Sequence, residues 1–306
     1  MADDDTPIES YPFEFRALVV QALEANGLTL KEWRDDGLEV ERDDGQQQFV
    51  GLANLYRRVV TSPAEMSAEL VRNFFQHAHV ADTEQLGQIP DRLEDAPDRV
   101  RARITRPYGD AEHAPWCLPL DPEGELAVCL VLDFPTMMAF VTTAMADRTD
   151  TPMAEWVARG IDGLRAATPA DWLQPLHPEQ GIWVGHANDS YDAARALVIC
   201  DATPGDELGW MVAIPTRDWL FARKVDRDGL QFVHLLKVRA EWAFGEQPYP
   251  ISDQVYWVRP GNRWMKIPMA VDGQRVTVTL PPELIDALGL ELTDDEAGGE
   301  GDEQTG

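Results

Sequence analysis

The chain has 306 residues, 54 acids against 26 bases and a formal net charge of -28, and 44% of it is apolar. That length suits one large or two modest domains, and ten Trp and ten Phe supply a sizeable core, which excludes disorder of the whole chain as the leading reading. A surface this acidic repels phosphate backbones and anionic lipid headgroups, so neither nucleic acid nor a membrane is expected as a partner.

In chain order, residues 1–11 read as an acidic disordered tail. Residues 12–80 read as an N-terminal α+β domain. Phe13 to Asn26 carries Phe15, Leu18, Val19 and Leu23 near one helical face, and Gly27 suits a left-handed stop. Three strands follow, Leu28 to Trp33, Leu38 to Arg42 and Gln47 to Leu52, separated by Asp35-Asp36-Gly37 and Asp43-Asp44-Gly45. Asp-Gly between alternating runs signals a hairpin. Leu52, Leu55, Tyr56 and Val59 then recur at helical spacing, and Pro63 restarts a helix to about His79. Residues 81–115, punctuated by Pro90, Pro97, Pro107 and Pro115, read as a polar connector with a short strand at Arg101 to Thr105.

A C-terminal α+β domain is expected over residues 116–290. Leu126 to Leu132 and Met137 to Thr142 read as strands, and Thr151-Pro152 opens a helix to about Ala167. Ile182 to Gly185 reads as a strand, Asp189 to Cys200 as a helix, Trp210 to Ile214 as a strand and Thr216 to Phe221 as a short helix. Leu230 to Phe244, Gln254 to Val258, Arg263 to Ile267 and Arg275 to Leu280 read as strands, and Pro281-Pro282 starts a last helix ending at Gly289. Residues 291–306, with seven acids, no base and a Gly-Gly, read as a solubilising disordered tail. The expected fold is α+β: a helix, a three-strand meander and a helix, then a larger mixed, mostly antiparallel unit.

Cys117, Cys129 and Cys200 are an odd number without a close-spaced pair, which argues against a disulfide framework and a zinc ribbon. The acidic start MADDDTPIES lacks the bases and apolar stretch of a signal peptide, and the longest apolar run, Leu126 to Leu132, is far short of a membrane span. A cytoplasmic protein is expected, for which the Asn188-Asp189-Ser190 glycosylation triplet has no meaning. Only four bases are Lys; a salt-rich cytoplasm and an Arg-biased genome both account for that.

The strong catalytic and cofactor motifs are missing: no Walker loop, dinucleotide glycine fingerprint, Gly-x-Ser-x-Gly elbow, His-Glu-x-x-His or Cys-x-x-Cys. No cofactor and no bound metal are expected. His77 and His79 end a helix, where protonated His suits the carbonyl end better than it forms a metal pair. The most polar junction is Gly185 to Asp192. There His186, Asp189 and Asp192 can hold a metal, or His186 can act as a base oriented by Asp189. The simpler reading makes Asp189 or Ser190 a helix cap, with Asp192 in the first turn. At Ile214 to Trp219, Thr216 can cap, and Arg217 either pairs with Asp218 or faces an anion. Tyr249, Tyr256, Trp257 and Trp264 fit strand packing.

Three segments carry a resemblance: Gly51-Leu52-Ala53-Asn54-Leu55-Tyr56, Asp189-Ser190-Tyr191-Asp192-Ala193-Ala194-Arg195, and Val212-Ala213-Ile214-Pro215-Thr216-Arg217-Asp218-Trp219-Leu220. In that order they resemble the YtpQ-like bacterial proteins, a domain of unknown function, over residues 13 to about 268. Thr216 stands where that family is expected to carry Asn. The resemblance implies a bacterial cytoplasmic protein and supplies no activity or catalytic residues. The opening α-β-β-β-α order also loosely resembles secretion-chaperone-like binding modules, a likeness of layout only.

These readings favour a non-enzymatic protein-binding module, with a protein partner or a homodimer. The alternative is an enzyme or small-ligand binder whose site joins the two junctions through His186, Asp189, Asp192, Arg217 and Asp218.

Overall fold

The structure, a computed structural model, describes residues 11–34, 37–42, 45, 47–80, 89–107, 114–134, 138–187, 189–204, 206–272 and 275–290. Residues 1–10 and 291–306, the Asp35-Asp36 and Asp43-Asp44 pairs and the side chains of His77 and His79 lie outside the described residues, whereas Tyr11, expected in the first tail, is buried.

The chain is an α+β protein, and every strand pairing among the described residues is antiparallel. It opens with α1 (Phe13–Ala25), closed by Gly27 at φ 66°, a left-handed angle that glycine adopts without a Cβ penalty. The meander β1 (Thr29–Arg34), β2 (Gly37–Glu41) and β3 (Gln47–Gly51) follows, then α2 (Ala53–Val60) and α3 (Ser67–Val80). Leu38 and Val40, two residues apart, share one face of β2. They join Phe15, Val19 and Leu23 of α1, Leu55 of α2 and Val71 and Phe75 of α3 in a core drawn only from residues 11–75.

The rest of the chain is built on two sheets. The smaller holds β4 (Val100–Thr105), β5 (Cys117–Pro119), β6 (Ala127–Asp133) and β7 (Met138–Phe140). Strand β4 runs along one edge of β6, and β5 and β7 share the other. After the short α4 (Thr143–Ala146), α5 (Met153–Ala167) lies across β4. The larger sheet contains β8 (Leu173–His177), β9 (Ile182–Gly185), β10 (Trp210–Thr216), β11 (Trp219–Lys224), and then, after α6 (Val233–Glu246), β12 (Val255–Arg259) and β13 (Arg263–Ile267). Its order is β13-β12-β10-β11-β9-β8. The hairpin β14 (Met269–Asp272) and β15 (Arg275–Val278) and the helix α7 (Pro282–Leu288) complete the chain.

The central strand β10 is buried at every position, which explains its unbroken apolar sequence. Its side chains alternate between two cores. Trp210, Val212 and Ile214 face the smaller sheet and α5, while Met211 and Ala213 face α6 and α7. No helix of the described residues is long and apolar enough to cross a membrane.

Four expectations are corrected. The segment read as a strand over Leu230 to Phe244 is a 3-10 turn at Asp228–Phe232 followed by α6. Val233, Leu236, Lys237, Ala240 and Ala243 are its buried positions, a spacing of three and four that only a helix places on one face. The short helix at Thr216 to Phe221 is instead a hairpin, with Thr216 opposite Trp219 and Arg217-Asp218 as its turn. The helix over Asp189 to Cys200 is a turn followed by a 3-10 helix at Ala194–Ala202. The short strand expected at Arg101 to Thr105 is present as β4, and Leu93, Val100, Ala102 and Ile104 pack in one core with β6. Finally, Cys117 and Cys129 are joined in a disulfide, with Cα atoms 4.6 Å apart. They face each other across β5 and β6, at the close spacing of a non-hydrogen-bonded antiparallel pair, a proximity that pairing register creates and sequence spacing hides.

Candidate functional site

Three separate segments meet at the turn of the β10–β11 hairpin. Their junction is the backbone of Arg217: its N–H donates to the Tyr249 carbonyl at 3.0 Å, and its carbonyl accepts from the Ala193 N–H at 3.1 Å. The Asp218 N–H donates to Thr216 Oγ1 at 3.3 Å, which closes the turn. The N-terminal unit reaches the same place through α2. Asn54 Oδ1 accepts the Tyr249 N–H at 2.7 Å, and Arg57 Nη1 donates to the Gln247 carbonyl at 3.2 Å.

Between these segments lies a cleft of about 500 Å³, lined by Arg58, Thr61 and Ser62 from the N-terminal unit, His186 and Ser190, the hairpin turn Thr216–Trp219, and Gln247, Pro248 and Tyr249. That volume is within the range of small-molecule sites, which favour domain junctions. Two of its walls use left-handed backbone at residues other than glycine, Ser190 at φ 70° and Tyr249 at φ 59°. Such conformations are costly, and the surrounding hydrogen bonds hold them.

Arg217, Asp218 and His186 have fixed orientations in the cleft. Arg217 grips Asp218 with two parallel bonds, Nε to Oδ1 at 2.9 Å and Nη2 to Oδ2 at 3.0 Å. Its guanidinium carbon lies 3.6 Å above the Tyr249 ring. Burial alone lowers the Arg217 pKa, but the Asp218 carboxylate outweighs it and raises the pKa overall. His186 Nδ1 lies 2.8 Å from the Asp218 carbonyl. A carbonyl only accepts, so Nδ1 carries the hydrogen in this contact. The imidazole stacks on Trp219, with ring centres 3.9 Å apart and planes 20° from parallel. Arg58 is exposed and has no ion-pair partner among the described residues.

Of the five residues expected at the site, His186, Arg217 and Asp218 line the cleft, whereas Asp189 and Asp192 do not. Those two aspartates hold Arg195, which is 1% exposed. Its Nη1 donates to Asp189 Oδ1 at 2.9 Å and Asp192 Oδ1 at 3.0 Å, and Nη2 makes a further ion pair with Asp189. Asp192 also accepts the Ala187 N–H at 2.9 Å, and Asp189 accepts the Tyr191 N–H at 3.0 Å. Burial pushes the Asp189 carboxyl up, but Arg195 and the Tyr191 N–H outweigh burial and bring it below the usual aspartate range. The pair therefore braces the Ser190 turn. Among the described residues no three His, Cys, Asp or Glu side chains gather as metal ligands.

Sequence reasoning missed Arg58, Ser190, Gln247 and the role of Tyr249, which lies in a loop and not in a strand. The adjacent bases Arg57 and Arg58, in so acidic a chain, were the available signal. No protein-family model, curated protein or solved structure matches the chain.

Proposed function

We propose that this protein binds a small anionic ligand in the cleft between α2 and the β10–β11 hairpin. The observation that carries the reading is a local reversal of charge. In a chain of net charge -28, this cleft gathers Arg58, Arg217 and the imidazole of His186 from three distant segments, and among its described lining residues only Asp218 is an acid. A cationic pocket within an acidic protein concentrates field on a small anion, while the surrounding surface repels large polyanions. The guanidinium of Arg217 is held between Asp218 and Tyr249, so little ordering entropy remains to be lost on binding. All three segments that resemble the YtpQ-like proteins meet here: Asn54 supports Tyr249, Ser190 lines the cleft, and Thr216 to Trp219 form its floor.

A protein-docking role has less geometric support. Among the described residues, the large exposed apolar side chains Phe13, Phe49, Val60, Met66 and Leu118 stand on separate elements, and only Val238 and Trp242 are one turn apart on α6. Apolar side chains scattered in this way are normal on a surface.

Calorimetric titration with inorganic phosphate and with acetate tests the proposal. At least one is expected to bind, and Arg58→Ala is expected to weaken it by about tenfold or more, the worth of one charge-assisted hydrogen bond. Absence of binding by both anions, or unchanged affinity in Arg58→Ala, overturns the reading.

A further inference from the structure

A second cavity of about 290 Å³ adjoins the cleft, and Arg217 and Tyr249 line both. Their stacked side chains are thus a shared wall, with the guanidinium carbon 3.6 Å above the ring. The second cavity is lined also by Asn54, Arg103, Thr105 and Phe140. Each cavity therefore has an arginine of its own in its lining, Arg58 from α2 in the first and Arg103 from β4 in the second, where Arg103 Nη1 also donates to Met138 Sδ at 3.6 Å, with Arg217 between them. The wall's backbone is held on both sides, by Asn54 at the Tyr249 N–H and by the Arg217 N–H at the Tyr249 carbonyl. Its side chains are held to each other by stacking, and Arg217 also by its two bonds to Asp218, so the wall is a fixed surface along which a ligand runs.

We propose that the ligand is a two-ended anion, an elongated diacid with one charged group in each cavity and an apolar middle passing the Arg217–Tyr249 wall. This rests on the anion-binding reading above. Alone, the second cavity is at the small end of ligand sites; joined to the first it forms a slot suited to a chain-like molecule. Arginines at both ends and an aromatic face between them match carboxylate or phosphate termini on a hydrocarbon spacer. Linking two weak ends makes the second contact intramolecular, so affinity depends sharply on spacer length.

The test is calorimetric titration of the intact protein with linear α,ω-dicarboxylates from succinate to azelate, each compared with the monocarboxylate of equal carbon number. One length is expected to exceed its monocarboxylate by about tenfold or more. Arg103→Gln, which keeps most of the stem, is expected to collapse that diacid to the affinity of its monocarboxylate, and Arg103→Lys to restore part of the difference. Thermal unfolding of both variants confirms that they fold. If monocarboxylates bind but no diacid gains, or if Arg103→Gln keeps the gain, the two-ended ligand is refuted and the anion site stands. If neither class binds, both proposals fail.

Discussion

Arg195 ties up two of the candidate site residues, Asp189 and Asp192. It is 1% exposed, and its partner Asp192 is fully buried. Removing one member of such a pair leaves an uncompensated charge, whereas replacing both can be nearly neutral. Arg195→Met is therefore expected to destabilise the fold by about 3–5 kcal/mol, measured by urea unfolding. The double variant Asp192→Asn/Arg195→Met is expected to recover part of that loss, since an amide oxygen can still accept the Ala187 N–H. A single variant as stable as the parent contradicts the clamp. Cys200 has a comparably passive role: burial pushes its thiol up to about 11, so it is protonated and unreactive near neutrality.

At the scale of elements, α5 sits unusually close to β4, and Gly160 permits it. A Cβ built there would lie 2.9 Å from the Ala102 nitrogen and 2.9 Å from Leu130 Cδ2. Glycine to alanine in a helix ordinarily stabilises by about 1 kcal/mol. Here overpacking against backbone reverses the sign, with an expected cost of about 1–3 kcal/mol for Gly160→Ala. Gly245 in α6 has no such neighbour within 4 Å, so Gly245→Ala is expected to be neutral or stabilising. Thermal unfolding of the two variants side by side measures the contrast, and equal shifts refute the packing argument. The β10–β11 turn makes the related point for hairpins. Thr216, Arg217 and Asp218 suit a helix start as well as a tight turn, and the pairing of Thr216 with Trp219 selects the turn.

Over the whole molecule, charge and shape act in opposition. A net charge of -28 opposes compaction through self-repulsion. Salt screens that repulsion, with a Debye length falling from ~30 Å at 0.01 M to ~3 Å at 1 M. The melting temperature is therefore expected to rise when sodium chloride is raised over that range, followed by circular dichroism. A flat or falling melting temperature would mean that local ion pairs such as Arg217–Asp218 outweigh the net charge. The same salt is expected to weaken anion binding in the cleft, because it screens attraction as well as repulsion.

The α+β class, the meander, the two terminal helices of the N-terminal unit and most strands were legible because each has a local cause: a 2- or 3.6-residue apolar period, an Asp-Gly turn or a left-handed glycine. His186, Arg217 and Asp218 were legible as polar residues at element junctions. Neither α6 nor the hairpin turn was, since their local signals are ambiguous and packing against β10 decides them. The cleft depends on distant partners: Asn54 meets Tyr249 across 195 residues and Arg57 meets Gln247 across 190. Sequence by itself determined composition, charge, periodicity and the local turns. Only the tertiary structure decided that Asp189 and Asp192 face inward to Arg195 while Arg58 and Tyr249 face the cleft, because orientation follows from which surfaces the chain brings together and not from which residues are neighbours in it.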